Sequence, residues 1–235
     1  MKTITTRFNP TPNGNLHIGH LYILLLNEQS AHQSKGGIFT LRFEDTQPEW
    51  IEACGDKQKE YAEEISDSVN KLGIPVDMTI YQSDPDVQHC VSQFARKHNL
   101  EVKQDYKPFF QPINTASGIE LYSYTPGFTL QKVILDYMYG VTMLIRGEEL
   151  GTEYSLYEYY CDLMDLPHPV HIYLPRLQGL DGNISKSHGG YKVRDMMARG
   201  WTKEQILEKL GESCLKNPQG GWFISNIKER PIWVD

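Results

Sequence analysis

With 235 residues, 40% of them hydrophobic, the chain is long enough to bury the core of one domain with a small appendage and too short for two full domains. Its formal net charge of −7, with no basic run, argues against a broad surface for gripping a nucleic-acid backbone. The opening MKTITTRFNP lacks the apolar stretch of a secretory signal, and the longest aliphatic cluster, Leu21 to Leu26, is too short to cross a bilayer, so the expectation is a soluble, cytoplasmic protein with no membrane partner.

TITTRF (3–8) alternates β-branched residues and reads as a strand, and Ile18 to Ser34 carries apolar residues at helical spacing after a Pro/Gly/Asn turn. GIFTLRFED (37–45) reads as a second strand, Pro48 to Leu72 as one long helix, and VDMTIYQS (76–83) as a third strand. Residues 84 to 129 change character. A helix over Val87 to His98 is followed by a segment rich in Pro, Gly and aromatics, read as a shortened insertion. Its rings, Phe109, Phe110, Tyr122, Tyr124 and Phe128, either wall an acceptor pocket or simply pack on the sheet. Regular alternation returns with helix 130–140, strand 141–147, helix 152–164 and strand 170–177. A Gly-rich loop, DGNISKSHGG (181–190), precedes a helix near Lys203 to Leu210 and a tail whose Trp222, Phe223 and Trp233 suit packing on the core. This order predicts an α/β fold: a doubly wound parallel sheet with a short central insertion and a small C-terminal helical tail. Cys54, Cys90, Cys161 and Cys214 form no C-x-x-C pair and read as reduced thiols in or near the core, not as a metal site.

NGNLHIGH stands between the first strand and the first helix, where unpaired N–H groups and the helix dipole favour an anion. Gly14 would permit a tight turn and Gly19 the close approach of a ligand, while His17 and His20 could donate to phosphate oxygens. The plainer reading is a turn with partly buried histidines. Lys186, flanked by Ser185, Ser187, Gly189 and Gly190, suits a mobile phosphate clamp, or else is a solvated surface lysine.

Taken together these stretches resemble the HIGH and KMSKS signatures of class I aminoacyl-tRNA synthetases, and most of all the glutamyl/glutaminyl branch with its short glutamyl-Q forms. RFNPTPNGNLHIGH is similar to that branch's first motif, GIFTLRFEDTQPE to its strand ending in E-D-T, DYMYGVTMLIRGEEL to its R-G-E/A-E segment, and LPRLQGLDGNISKSHGG to its lysine loop. The likeness runs in order over residues 7 to 83 and 130 to 190.

The resemblance implies a Rossmann-type (HUP-like) core in those two segments, an insertion at 84–129, and a segment at 191–235 too short for an anticodon-binding domain. It implies ATP with Mg²⁺ as co-substrate and formation of an aminoacyl adenylate. His17, His20 and Lys186 are then the catalytic residues, with Pro10, Gly14, Gly19 and Ser185 beside them at the ATP. Arg7, Glu44, Phe128, Lys132 and Arg146 fall on amino-acid-binding positions, although Arg7, Glu44 and Arg146 could instead be unrelated structural ion pairs. Asp45 is assigned to support of the site. Phe128 stands in place of a tyrosine, and Lys132 in place of an asparagine or small residue, which the sequence reading takes as an added cation for an acidic side chain. Asn183 and Ile184 depart from the loop signature, Gln47 departs from an acidic residue, and the zinc element of the glutamyl-Q forms has no counterpart. The expectation is a ligase that activates glutamate or an acidic analogue and transfers it to a small-molecule or non-standard acceptor. A minimal tRNA-charging enzyme and a non-catalytic binding protein are the alternatives.

Overall fold

Parallel pairing organises the first third of the chain. In the computed structural model β1 (Thr5–Phe8) lies beside β2 (Ile38–Phe43), with Thr5 opposite Ile38 and Phe8 opposite Leu41, and β2 lies beside β3 (Met78–Tyr81). The structure describes residues 3–100, 109–115, 118–124, 126–174, 178–179, 182–183, 192–206, 214–216 and 222–224. A second parallel pair, β6 (Met143–Gly147) and β7 (Val170–Leu174), continues the layer from the other edge of β1. The join is made at residue 142: the Thr142 N–H donates to the Thr5 carbonyl at 2.9 Å, and the Thr5 N–H donates to Thr142 Oγ1 at 3.0 Å.

Helices cover both faces because successive strand residues point to opposite sides. On β6, Leu144 joins the core formed with α4 (Pro85–Lys97), α5 (Pro126–Met138) and α6 (Tyr154–Leu163). Its neighbour Ile145 joins the other core, under α1 (Ile18–His32) and α3 (Lys57–Lys71). This is the doubly wound α/β arrangement that the alternation of elements predicts.

Several local expectations change. The single helix expected over 48–72 is divided into α2 (Pro48–Cys54) and α3, because Gly55 between them takes φ = +54°, a conformation that does not propagate a helix. In the insertion, β4 (Phe109–Thr115) and β5 (Gly118–Tyr124) form an antiparallel hairpin that composition did not reveal. The side chains of Phe109, Phe110, Tyr122 and Tyr124 lie outside the described residues, so the acceptor-wall reading is not addressed there. Helix α5 begins earlier than residue 130 and so includes Phe128. Two short pairs follow β7: β8 (Gln178–Gly179) with β9 (Gly182–Asn183), then β10 (Cys214–Lys216) with β11 (Trp222–Ile224), with α7 (Val193–Ala198) between them. The C-terminal segment is therefore not purely helical. Of the cysteines expected in the core, Cys161 is buried, with burial pushing its thiol up to about 12, whereas Cys54 is half-buried and Cys90 exposed. No helix among the described residues is long and apolar enough to cross a membrane.

A charged staple fastens the end of α1 to the sheet. His32 Nδ1 lies 2.9 Å from Glu28 Oε1 and Nε2 lies 2.8 Å from Asp77 Oδ2, which also accepts the Phe39 N–H at 2.7 Å. Burial alone would lower the His32 pKa, but the two carboxylates raise it; Asp77 is lowered by the Phe39 N–H and by His32. The histidine contribution is complete below the ordinary imidazole value and fades as pH rises through the raised one. The aspartate contribution is complete above the ordinary carboxylate value and fades as pH falls through the lowered one. Thermal melts of wild type and His32→Gln should therefore differ most between about pH 4 and 6.5, with the gap narrowing as pH rises beyond the ordinary imidazole value. A gap that widens with rising pH would contradict the staple.

Candidate functional site

Strand β1 has β2 on one side and β6 on the other, so the connections leave in opposite directions and a crevice opens beyond the carboxyl ends of the strands. A cleft of about 280 Å³ lies there. Arg7 and Pro10 reach it from β1 and the following turn, His20 from α1, Glu44 from the end of β2, Phe128 and Lys132 from α5, and Arg146 from the end of β6. Seven residues picked from sequence thus meet around one space. His17, Gly14 and Gly19 are not among its lining residues. Ser185 and Lys186 lie outside the described residues.

Behind the cleft is a buried carboxylate that the sequence reading passed over. Asp136 Oδ1 lies 3.0 Å from Arg7 Nε and 2.8 Å from an Arg42 terminal nitrogen, while Oδ2 accepts from Arg7 at 3.3 Å and from the Tyr157 hydroxyl at 2.9 Å. Burial alone would raise the Asp136 pKa, but Arg42 and Arg7 hold it well below the usual carboxylate range. Arg42 also donates through Nε to Asn9 Oδ1 at 2.7 Å, and Asn9 donates its amide N–H to Glu44. A chain of partners therefore runs from Asp136 to the carboxylate of Glu44 in the cleft. The signal was available: Phe128, Lys132 and Asp136 are four residues apart and share one face of α5.

Glu153, at the end of the short 3₁₀ turn Glu148–Glu153, was also missed. Its Oε2 lies 2.7 Å from Lys132 Nζ and 3.5 Å from an Arg146 nitrogen. Burial would raise its pKa, but Lys132 and Arg146 lower it, so it is an anion at neutral pH. Lys132 therefore shares a carboxylate with Arg146, and the two cations together carry one positive charge more than Glu153 balances. Its ammonium also sits 4.1 Å from the centre of the Phe128 ring, a cation–π contact. Arg146 is held on its other side by His171 Nδ1 at 3.1 Å. Burial and the nearby Arg146 and Arg7 push His171 down to about 3, so the ring is neutral and can accept that bond.

At the start of α1, His17 is the N-cap: its Nδ1 accepts the His20 N–H at 3.3 Å, and the two rings stack with centroids 3.6 Å apart. A Cβ at Gly19 would come within 3.1 Å of His17 Cε1, so the glycine makes room for the histidine ring. Gly14 has open space around it and no left-handed φ. Asp45 supports the neighbouring loop, accepting from the Ser83 N–H at 2.8 Å and hydroxyl at 2.6 Å. Lys192 bridges His17 in antiparallel fashion and the Val193 N–H donates to the Leu16 carbonyl at 2.9 Å, so the chain returns to the first motif six residues after Lys186. Among the described residues, no group of three or more His, Cys, Asp or Glu side chains is placed to hold a metal ion.

Fold and cleft define a Rossmann-type α/β domain with a site at the carboxyl ends of its strands. Residues 3–94 match the family model described as tRNA synthetases class I (E and Q), catalytic domain, and that part of the chain is similar to the glutamyl/glutaminyl branch of the class. It is 40% identical over 82 residues to glutamate–tRNA ligase 1 of Chelativorans sp., covering 35% of this chain and 16% of that protein. It is 25% identical to glutamate–tRNA ligase 1 of Rubrobacter xylanophilus over 97% of this chain and 57% of that protein. The chain thus spans less than two thirds of these relatives. A glutamate tRNA ligase of Elizabethkingia meningosepticum, solved in complex with its amino acid, has the same fold at TM-score 0.59 and 14% identity over 94% of this chain and 62% of that one. So does methionyl-tRNA synthetase of Mycobacterium tuberculosis, solved with methionyl-adenylate, at TM-score 0.63 and 9% identity over 89% of this chain and 64% of that one.

Asp136→Asn leaves two buried guanidiniums without their shared counter-charge. It should destabilise the protein by about 3–5 kcal/mol, read as a lower denaturant midpoint in urea unfolding. A loss below about 1 kcal/mol would show that the three groups do not act as a unit.

Proposed function

We propose that the chain activates an amino acid as its adenylate at the expense of ATP. The observation that carries this reading is the convergence of Arg7, Glu44, Lys132 and Arg146 on one cleft that also receives His20 from the start of α1. Glu44, oriented by Asn9, is suited to an α-ammonium, and the arginines to a carboxylate or phosphate. A carboxylate oxygen of the amino acid attacks the α-phosphorus, the new C(O)–O–P linkage forms, and the P–O bond to pyrophosphate breaks. Negative charge grows on the phosphoryl oxygens as it does so. The amino end of α1, with His17 and His20, offers N–H donors and a positive dipole toward that charge. Lys186 and Ser185 would contact the triphosphate from the loop that ends at Lys192. Mg²⁺ would arrive already bound to ATP.

Glutamate is the first substrate to test, because the relatives are named glutamate–tRNA ligases. Those names support a tRNA as acceptor, whereas the net charge of −7 and the short insertion favour a small-molecule amine or alcohol. Either acceptor would take the aminoacyl group by attack on the carbonyl carbon with release of AMP.

Exchange of labelled pyrophosphate into ATP should depend on one amino acid and fall by at least about a hundredfold in both Lys186→Ala and Arg146→Ala. Amino-acid-independent exchange, or none with any amino acid, would count against the reading. Incubating the labelled adenylate with total tRNA and, separately, with amine and alcohol pools then decides the acceptor.

A further inference from the structure

Behind Arg146 stand two side chains that the activation chemistry does not use, His171 on β7 and Glu158 on α6. His171 Nδ1 lies 3.1 Å from an Arg146 terminal nitrogen and 3.3 Å from the Tyr173 hydroxyl, and its Nε2 lies 3.3 Å from Glu158 Oε1. The other Glu158 oxygen contacts His168 Nδ1, and His168 Nε2 lies 3.0 Å from Asp162. A guanidinium has only N–H donors, so the His171 nitrogen that faces it carries no proton. The proton of the neutral ring therefore sits on Nε2, toward the carboxylate, and Nε2 makes no hydrogen bond elsewhere among the described residues. Tyr154 and Tyr157 meet the ring edge-on, with centroids 4.9 and 5.0 Å away, and its side chain is 5% exposed.

Without this support Arg146 is loosely held. Glu153 lies 3.5 Å from one of its terminal nitrogens and gives the shorter contact, 2.7 Å, to Lys132. Arg146 Nε has no hydrogen-bond partner among the described residues, although the side chain is only 4% exposed. The Tyr157 and Tyr173 rings, each 5.6 Å from the guanidinium carbon, flank it without taking up its N–H groups. A second carboxylate in place of the imidazole would grip the guanidinium and also neutralise it. A neutral ring holds it through one nitrogen and leaves its positive charge in place.

We propose that His171, oriented by Glu158, is a positioning residue: it aims the Arg146 guanidinium into the cleft and leaves the charge of that cation to an anionic group of the ligand. The inference rests on the amino-acid-activating reading and gives α6 and β7 a part in it. The lining of the cleft does not disclose that part, since neither His171 nor Glu158 belongs to it.

Two amide variants provide the test, with L-glutamate as the probe titrated calorimetrically into the full chain. In His171→Asn a carbonyl oxygen stands about as far from the backbone as Nδ1, which keeps an acceptor for Arg146. In His171→Gln the amide reaches about as far as Nε2, which keeps a partner for Glu158 and loses the acceptor. The Asn variant should stay within about threefold of wild-type affinity, and the Gln variant should lose about tenfold or more, the size of one hydrogen bond to a charged group. Losses that are equal, absent or in the opposite order overturn the positioning role while leaving amino-acid binding intact. Glu158→Gln should weaken the probe by about threefold or more, and an unchanged affinity overturns the part given to Glu158. Nitrogen NMR spectra of the imidazoles, with the His171 signals identified by their loss in the Gln variant, read the ring directly. Wild type at about pH 7 should show the neutral Nε2–H form. An imidazolium or an Nδ1–H form overturns the inference whatever the affinities. Failure of wild type to bind L-glutamate counts against the amino-acid reading and removes the ligand at which Arg146 is aimed, so it overturns this inference as well.

Discussion

Asp136 is the charge on which the rest of the cleft is built. Its two oxygens hold Arg7 from β1, Arg42 from β2 and Tyr157 from α6, so one carboxylate on α5 ties three other elements together at the point where the sheet divides. Burying such a group is costly unless every neighbour is in place, and removing any one leaves the others uncompensated. That penalty is what fixes the side chains. Arg42, locked against Asp136, directs Asn9, and Asn9 in turn holds Glu44 at the cleft wall. The functional face thus rests on charges whose burial depends on their mutual pairing.

Much of this was legible in the residues. Parallel pairing of β1, β2 and β3 follows from short β-branched runs separated by helices, and seven of the chosen site residues meet because they stand at strand ends and on one helix face. What escaped was set by geometry that sequence spacing does not carry. The break at Gly55 depends on a single positive φ inside a stretch with good helical periodicity. The β4–β5 hairpin was hidden by a composition rich in proline and aromatics, which reads as loop. At Gly19 the nearest atom to a would-be side chain is the ring two residues before it, a contact that exists only once His17 turns back to cap the helix.

Glu153 shows the limit most clearly. Lys132, Arg146 and Glu153 come from a helix, a strand end and a 3₁₀ turn, and no periodicity announces that the third folds back onto the other two. Read along the chain, Lys132 is an extra positive charge. Read in space, it shares the Glu153 carboxylate with Arg146. Asp136 differs, since its spacing from Lys132 already placed it on the cleft side of α5.

The overall charge of −7 conveys nothing of this local balance. Around the cleft, cations and anions alternate, and the electrostatic character presented to a ligand depends on which carboxylates the protein keeps for itself. Each internal pair lowers the cost of burying its partners and at the same time withdraws a charge from substrate recognition.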